Sequence, residues 1–217
     1  MKKQFEDKVN QRFPNHQFSK KKMEDNKLEN TYESPNWITR WYFRGKVYVA
    51  IKLAGLLKKD IILDYGCGGG WLEKKLANYK IYGYDINPEK TFIKDYRKIK
   101  PTKIFALDVF EHIPVNEIKK IINSFKKLNN KFELIVSIPT ENWISRKIRK
   151  LVGKKEIPDE HITKYDEILK ILNQNFKLIK KVNFFTVTHT FLFEHDSRKY
   201  TEKSRDYKEM GELIRER

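Results

Sequence analysis

Ile61-Ile62-Leu63-Asp64-Tyr65-Gly66-Cys67-Gly68-Gly69-Gly70 joins a short apolar run, closed by an acid, to four glycines in five positions. An apolar run of this length reads as a strand buried on both faces of a parallel sheet. Glycines directly after it let the backbone turn tightly and let a ligand approach closely. The segment over 70–79 then carries Trp71, Leu72 and Leu76 at helical spacing. Ile81-Tyr82-Gly83-Tyr84-Asp85 is a second apolar run ending in an acid, and Asp85 follows Asp64 by 21 residues. A carboxylate at that place can accept both hydroxyls of a ribose. A dinucleotide loop would need a small residue at position 71, for helix–strand packing and for the pyrophosphate. Trp71 stands there, so the loop suits a ligand whose charged part is an amino acid.

Outward from the loop, strand and helix signals alternate. Asn36 opens a helix expected over 37–57, with Trp37, Trp41, Tyr48, Ile51 and Leu56 on its apolar positions. Further helices are expected over 88–100, 115–128 and 165–173, and strands over 103–108, 132–138, 176–185 and 187–194. The pattern predicts an α/β chain: a three-layer, Rossmann-like, doubly wound sheet, mostly parallel, with an antiparallel hairpin at one edge. Ligands of such sheets bind at the carboxyl ends of the strands.

Three stretches in order carry a family resemblance: Ile62 to Gly70, then Gly83-Tyr84-Asp85-Ile86-Asn87-Pro88, then Ala106-Leu107-Asp108-Val109-Phe110-Glu111-His112-Ile113. Together they resemble the class I S-adenosylmethionine-dependent methyltransferases, in particular the small-molecule group that includes ubiquinone-biosynthesis enzymes. The resemblance spans about 36–194. It implies S-adenosylmethionine as cofactor, S-adenosylhomocysteine as product, and an acceptor that is a small or lipid-like molecule methylated on oxygen. It also implies roles. Gly66, Gly68 and Gly70, with Cys67 among them, would cradle the methionine part. Asp64 would organise that loop and face the ammonium. Asp85 would hold the ribose, Ile86 would lie against the adenine, and Asp108 and Val109 would line the transfer pocket. Arg44, with Arg40 as the alternative, would stand near the cofactor carboxylate. Relatives usually carry another strand between the second and third motifs, ending in an acid that reads adenine. Only 22 positions separate Asp85 from Asp108, so six to seven strands are expected, six being nearer; the adenine contact is unassigned, and Asp95 is read as a solvated helix residue, with a stand-in for that acid as the alternative.

An oxygen nucleophile needs a base, and histidine titrates in the right range. Of five histidines, His16 falls in a polar arm, and His189 and His195 fall on the closing strands as structural or surface residues. His161, in Pro158-Asp159-Glu160-His161, and His112 with Glu111 are the catalytic candidates. Cys67 is expected to be structural rather than nucleophilic.

The chain has 217 residues and a net charge of +17, from 46 Lys and Arg against 29 Asp and Glu. Such a balance favours anionic partners. The cations are 36 Lys and 10 Arg, however, and base reading leans on Arg. One cysteine excludes a disulfide framework and a multi-cysteine metal site, and no metal is expected. The N-terminus lacks the apolar core of a signal peptide, and no run approaches the ~20 residues of a membrane span, which together suggest a cytoplasmic protein. Three regions are expected: a loose arm or lid over 1–35, the main domain over 36–195, and a charged helical tail over 196–217. Within the domain, 140–162 reads as a substrate-cover insertion. Its residues 141–155 hold a net +5 with Trp143, Ile144, Ile148, Leu151 and Val152 at helical spacing. That suits a lid, an anionic membrane surface or nucleic acid. Trp37, Trp41, Tyr42 and Phe43 are expected as helix core contacts, with an aromatic wall around the substrate as the alternative. The rival readings are an RNA or protein methyltransferase and a non-catalytic binding module. Ser137-Ile138-Pro139-Thr140, where a base-amino methyltransferase would show an Asn/Asp-Pro-Pro-aromatic motif, argues against base amino methylation.

Overall fold

The computed structural model describes residues 32–140, 161–184 and 187–198. The expectations for the arm up to residue 31, for 141–155, for the tail beyond 198 and for His16 lie outside them.

Helix α1 (Trp37–Ala54) starts where the Asn36 side chain accepts the N–H groups of Ile38 and Thr39, at 2.9 and 3.4 Å. It stops at Gly55, which takes the left-handed conformation at φ 54°. Strand β1 (Ile61–Tyr65) leads through the glycine loop to the short helix α2 (Trp71–Lys75) and on to β2 (Lys80–Tyr84). Strand β3 (Lys103–Leu107), helix α3 (Val115–Leu128) and β4 (Lys131–Pro139) follow. Helix α4 (Tyr165–Asn175), β5 (Lys177–Phe184) and β6 (Thr188–Asp196) complete the set. The six strands run in the order β2-β1-β3-β4-β6-β5. β1 to β4 are parallel, and β6 enters antiparallel between β4 and β5.

The three layers follow from the alternation of side chains along each strand. Leu63, Ile104, Ala106, Leu134, Val136, Phe191 and Phe193 face one way, onto Ile118, Ile122 and Phe125 of α3 and Ile168 and Leu172 of α4. Ile62, Phe105, Ile135 and Leu192 face the other way, onto Val47, Ala50 and Ala54 of α1 and Leu72 of α2. Such apolar runs bury both faces, as a parallel sheet under helices requires.

Three expectations are corrected. No helix forms over 88–100; a single 3-10 turn at Tyr96–Lys98 is present. Side chains compete with the helix for its backbone there. The Asn87 side-chain Oδ1 accepts the Glu89 N–H at 2.9 Å. The Thr91 hydroxyl accepts the Asp85 N–H at 3.1 Å and donates to the Ile93 carbonyl at 2.7 Å. The N–H groups of Phe92 and Ile93 both reach back to the Gly83 carbonyl, at 2.9 and 3.1 Å. Second, the helix after the glycine loop ends at Lys75, four residues short of the expectation. Third, two of the four aromatics expected in the core of α1 are at the surface: Trp37 is 68% exposed and Trp41 51%, while Tyr42 and Phe43 are half-buried. The helical spacing is real, but the stripe that packs on the sheet is Thr39, Lys46, Val47, Ala50 and Ala54. Ala50 and Ala54 let the helix backbone approach closely, which the indoles would prevent.

Candidate functional site

Chain order reverses direction across β1: β2 lies on one side and β3 on the other. The crevice of a doubly wound sheet opens at such a switch point, outside the carboxyl ends of the strands. The glycine loop follows β1 there and Asp108 follows β3.

The loop is held from β2. The Tyr84 carbonyl accepts the N–H groups of Gly66 and Cys67 at 2.7 and 3.1 Å. The Asp85 carboxylate accepts the Gly68 N–H at 2.9 Å through one oxygen and the Asn87 N–H at 2.9 Å through the other. Gly66 has φ +82°, and a Cβ there would lie 2.5 Å from Val109 Cγ2. Only glycine therefore lets the Val109 turn pack on the loop. Gly68 has φ +50°, and a Cβ there would meet nothing within 4 Å. That position faces open space and forms the free side of the cradle. Ile86, beside it in sequence, is 92% exposed.

Asp64 is buried, and so is Glu73 of α2. Burial pushes the Asp64 carboxyl up to about 7, against the opposing effect of a hydrogen bond with Glu73. Burial and the Asp64 charge push Glu73 well above the carboxylate range. Two carboxylates would leave both Glu73 oxygens without a donor. Burial without a donor favours the protonated form of the pair. Cys67 is buried, its thiol is pushed up by burial, and its Sγ lies 3.7 Å from the Lys90 carbonyl. A buried neutral thiol is a packing residue, not a nucleophile.

On the other side of the crevice Asp108 has φ 54°, the one non-glycine residue with positive φ among the described residues. Such a backbone is held by its surroundings. Ser137 Oγ donates to Asp108 Oδ1 at 2.6 Å, the Asp108 N–H donates to the Ser137 carbonyl at 3.2 Å, and Lys46 Nζ pairs with Oδ2. Lys46 is 6% exposed. Burial alone would lower its ammonium; the Asp108 carboxylate outweighs that and holds it above the usual lysine range. Its Nζ also stands 4.7 Å from the Phe43 ring centre and 5.2 Å from that of Tyr42, a cation–π arrangement. Burial pushes the Tyr32 phenol up to about 12, with Lys46, Asp108 and Asp64 as the charges that act on it. Tyr32 stacks on Trp71 at 4.9 Å.

Arg44 donates from Nε to the Tyr32 carbonyl at 2.8 Å, and Arg40 donates to the Ser34 carbonyl at 2.7 Å. Both tie the start of the described chain to α1, and the buried cation of that helix is Lys46. Lys46, Glu73 and Tyr32 carry no motif that marks them in the sequence. Lys46 could have been found, because it falls in register with Thr39, Ala50 and Ala54.

The three catalytic candidates meet. Glu111 and His112 share the 3-10 turn Phe110–His112 that follows Val109. The Ile162 and Thr163 N–H groups both donate to the Glu111 carbonyl, at 2.7 and 3.2 Å. Thr163 Oγ1 donates to the Ile113 carbonyl at 2.6 Å. This strap carries His161 to His112, with ring centres 5.1 Å apart and edge to face. His189 is bonded through Nδ1 to the Tyr165 hydroxyl at 2.7 Å, and His195 is buried between Phe132 and Phe176. His195 stands opposite Phe132 at the start of β4, away from the crevice, whereas His189 stands opposite Ile138 at the carboxyl end of that strand. Asp95 caps the 3-10 turn and pairs with Arg97.

A family described as "Methyltransferase domain" matches residues 12–190. No curated protein matches the sequence. Among solved structures, magnesium protoporphyrin IX methyltransferase from Synechocystis, with S-adenosylhomocysteine bound, is similar at 20% identity and a TM-score of 0.55, over 78% of this chain and 93% of that one. A SAM-dependent methyltransferase from Aquifex aeolicus gives 14% and 0.52, over 74% and 98%. The small RNA methyltransferase HEN1 gives 16% and 0.52, over 72% of this chain and 26% of that one. At these identities the likeness is one of fold.

Proposed function

Because the chain belongs to the methyltransferase-domain family and is an S-adenosylmethionine-dependent enzyme, we propose that its acceptor is a small or lipid-like molecule methylated on oxygen. The observation that carries this reading is the meeting of Glu111, His112 and His161 directly after Val109, whose side chain packs on the glycine loop.

The crevice fits the cofactor. Gly68 offers a cradle with free space, Asp85 a carboxylate on the adjoining turn, and Ile86 an exposed apolar side chain. In our reading the loop receives the methionine part, Asp85 the ribose hydroxyls and Ile86 the adenine face. Asp108 and Val109 line the transfer pocket, and Asp64 stiffens the loop from beneath. Arg44 acts by fixing Tyr32 over the pocket. When bound, S-adenosylmethionine supplies a methyl group on a sulfonium, and the C–S electron pair returns to sulfur as S-adenosylhomocysteine forms. The residues of the chain orient the acceptor and take its proton. Glu111, His112 and His161 receive the acceptor hydroxyl. Lys46 and Ser137 hold the Asp108 carboxylate in place at the end of β3, beside the transfer pocket. The chain's positive charge and the basic segment 141–155 suit an anionic acceptor or an anionic surface presenting it. We place the protein in the cytoplasm as part of this proposal.

Transfer of the labelled methyl group from S-adenosylmethionine tests the reading. The acceptors offered are phenols, catechols and isoprenyl phenols, beside total RNA and a protein extract. Label extracted into organic solvent with the phenolic pool is expected. Label confined to RNA or protein would overturn the proposed acceptor class.

A further inference from the structure

Glu111, His112 and His161 each bring one donor atom to within 4.8 Å of the others. We infer that these three side chains form a binding site for one first-row divalent metal ion at the acceptor side of the crevice. A single cysteine points away from a thiolate metal site; this donor set is two imidazoles and a carboxylate, drawn from segments about fifty residues apart.

The chemistry of the donors selects the ion. Magnesium and calcium take oxygen ligands. Two imidazoles with one carboxylate suit zinc, cobalt, manganese or iron(II). Three protein ligands leave coordination positions open, which marks catalytic rather than structural sites. The burial agrees with that reading: Glu111 is buried at 3% exposure, while His112 is exposed and His161 intermediate, so the site opens outward through its imidazoles. The geometry is set before any ion arrives. Glu111 and His112 are adjacent on one 3-10 turn. The strap of Ile162 and Thr163 onto the Glu111 and Ile113 carbonyls fixes where His161 stands. A site assembled by backbone hydrogen bonds loses little freedom when it closes on a ligand. Val109, one residue before the turn, contacts Gly66, so the ion would sit beside the cofactor cradle.

This deepens the reading under Proposed function and rests on it only for what the ion faces. An acceptor hydroxyl bound to the ion loses its proton more readily. The proton passes to solvent, the oxygen pair forms the new bond to the methyl carbon, and the C–S pair stays with sulfur. Glu111 and the two histidines then act through the ion rather than as free bases.

Cobalt(II) titration of the metal-stripped full-length protein tests the inference, read by visible absorption and by the imidazole proton signals of the histidines. One equivalent should bind with a Kd of about 10 μM or tighter. The signals of His112 and His161 should shift and broaden most, and those of His195, at the far end of β4, least. His161→Ala and His112→Ala should each weaken binding by at least about tenfold, and His189→Gln should not. Absence of binding below about 1 mM, or binding that moves other histidines and survives His161→Ala, would overturn the site. The wild-type spectra decide the matter even if a variant fails to fold. S-adenosylhomocysteine is titrated into the same samples. Its binding without cobalt binding removes the ion site and leaves the methyl-transfer reading standing.

Discussion

Lys46 on α1 and Asp108 at the end of β3, 62 positions apart in the chain, form an ion pair whose lysine side chain is only 7% exposed. The pair ties α1 to the pocket wall and holds Asp108 at its positive φ. Lys46→Met should leave Asp108 without its countercharge. Breaking a buried pair on one side costs about 3 kcal/mol; Asp108, 27% exposed, keeps part of its hydration, so about 2 kcal/mol is expected. Denaturant unfolding measures it. The double variant Lys46→Met with Asp108→Asn should recover a good part of the loss, and strict additivity would show that the pair carries no coupling.

The Asp64–Glu73 pair makes stability fall as pH rises. Asp64 moves from 3.8 to about 7 and Glu73 moves in the same direction, both through burial first. The folded chain therefore keeps protons that the unfolded chain releases above about pH 4. The stabilisation is complete below that value and is lost as pH rises through about 7. Glu73→Gln supplies a permanent donor to Asp64. Its melting temperature, relative to the wild type, should rise between about pH 5 and about pH 8. A pH-independent difference would mean that folding does not favour the protonated form of the pair.

Asp85 has two tasks in one carboxylate, the Gly68 and Asn87 N–H groups and the proposed ribose. Asp85→Ala should lower S-adenosylmethionine affinity by at least about tenfold and stability by about 1–2 kcal/mol. Calorimetry that finds wild-type affinity would remove Asp85 from the cofactor site.

Gly66→Ala combines a strained φ of +82° with a Cβ 2.5 Å from Val109. A destabilisation of about 1–3 kcal/mol is expected. Adding Val109→Ala should restore part of it, because the removed methyls are the atoms in the way. No recovery would place the whole effect in the backbone.

Cys67 should resist alkylation in the native protein. Its thiol is buried and pushed well above its usual value, first by burial. Iodoacetamide at about pH 8 should label it at under about a tenth of the rate seen in denaturant. Cys67→Ala should bind S-adenosylhomocysteine as the wild type does, since the loop is held through backbone N–H groups.

The amino-acid sequence by itself determined the α/β alternation, the glycine loop after β1, the acid at the end of β2 and the shortened stretch before Asp108. These are local: each rests on a period, a turn residue or an offset of a few positions, and each survives in the six-stranded sheet. It also singled out Glu111, His112 and His161, two neighbours and one distant residue, without any means of placing them together. Their meeting is decided by the strap of Ile162 and Thr163 on the 3-10 turn, a contact made only once β3 and the segment before α4 have packed. The same holds for Lys46, whose register on α1 is visible but whose partner Asp108 is not. Which face of α1 is buried was also decided in three dimensions. Periodicity reveals that stripes exist, but the sheet accepted the one with Ala50 and Ala54 and left Trp37 and Trp41 at the surface, because close packing favours the helix face that lets the backbones approach.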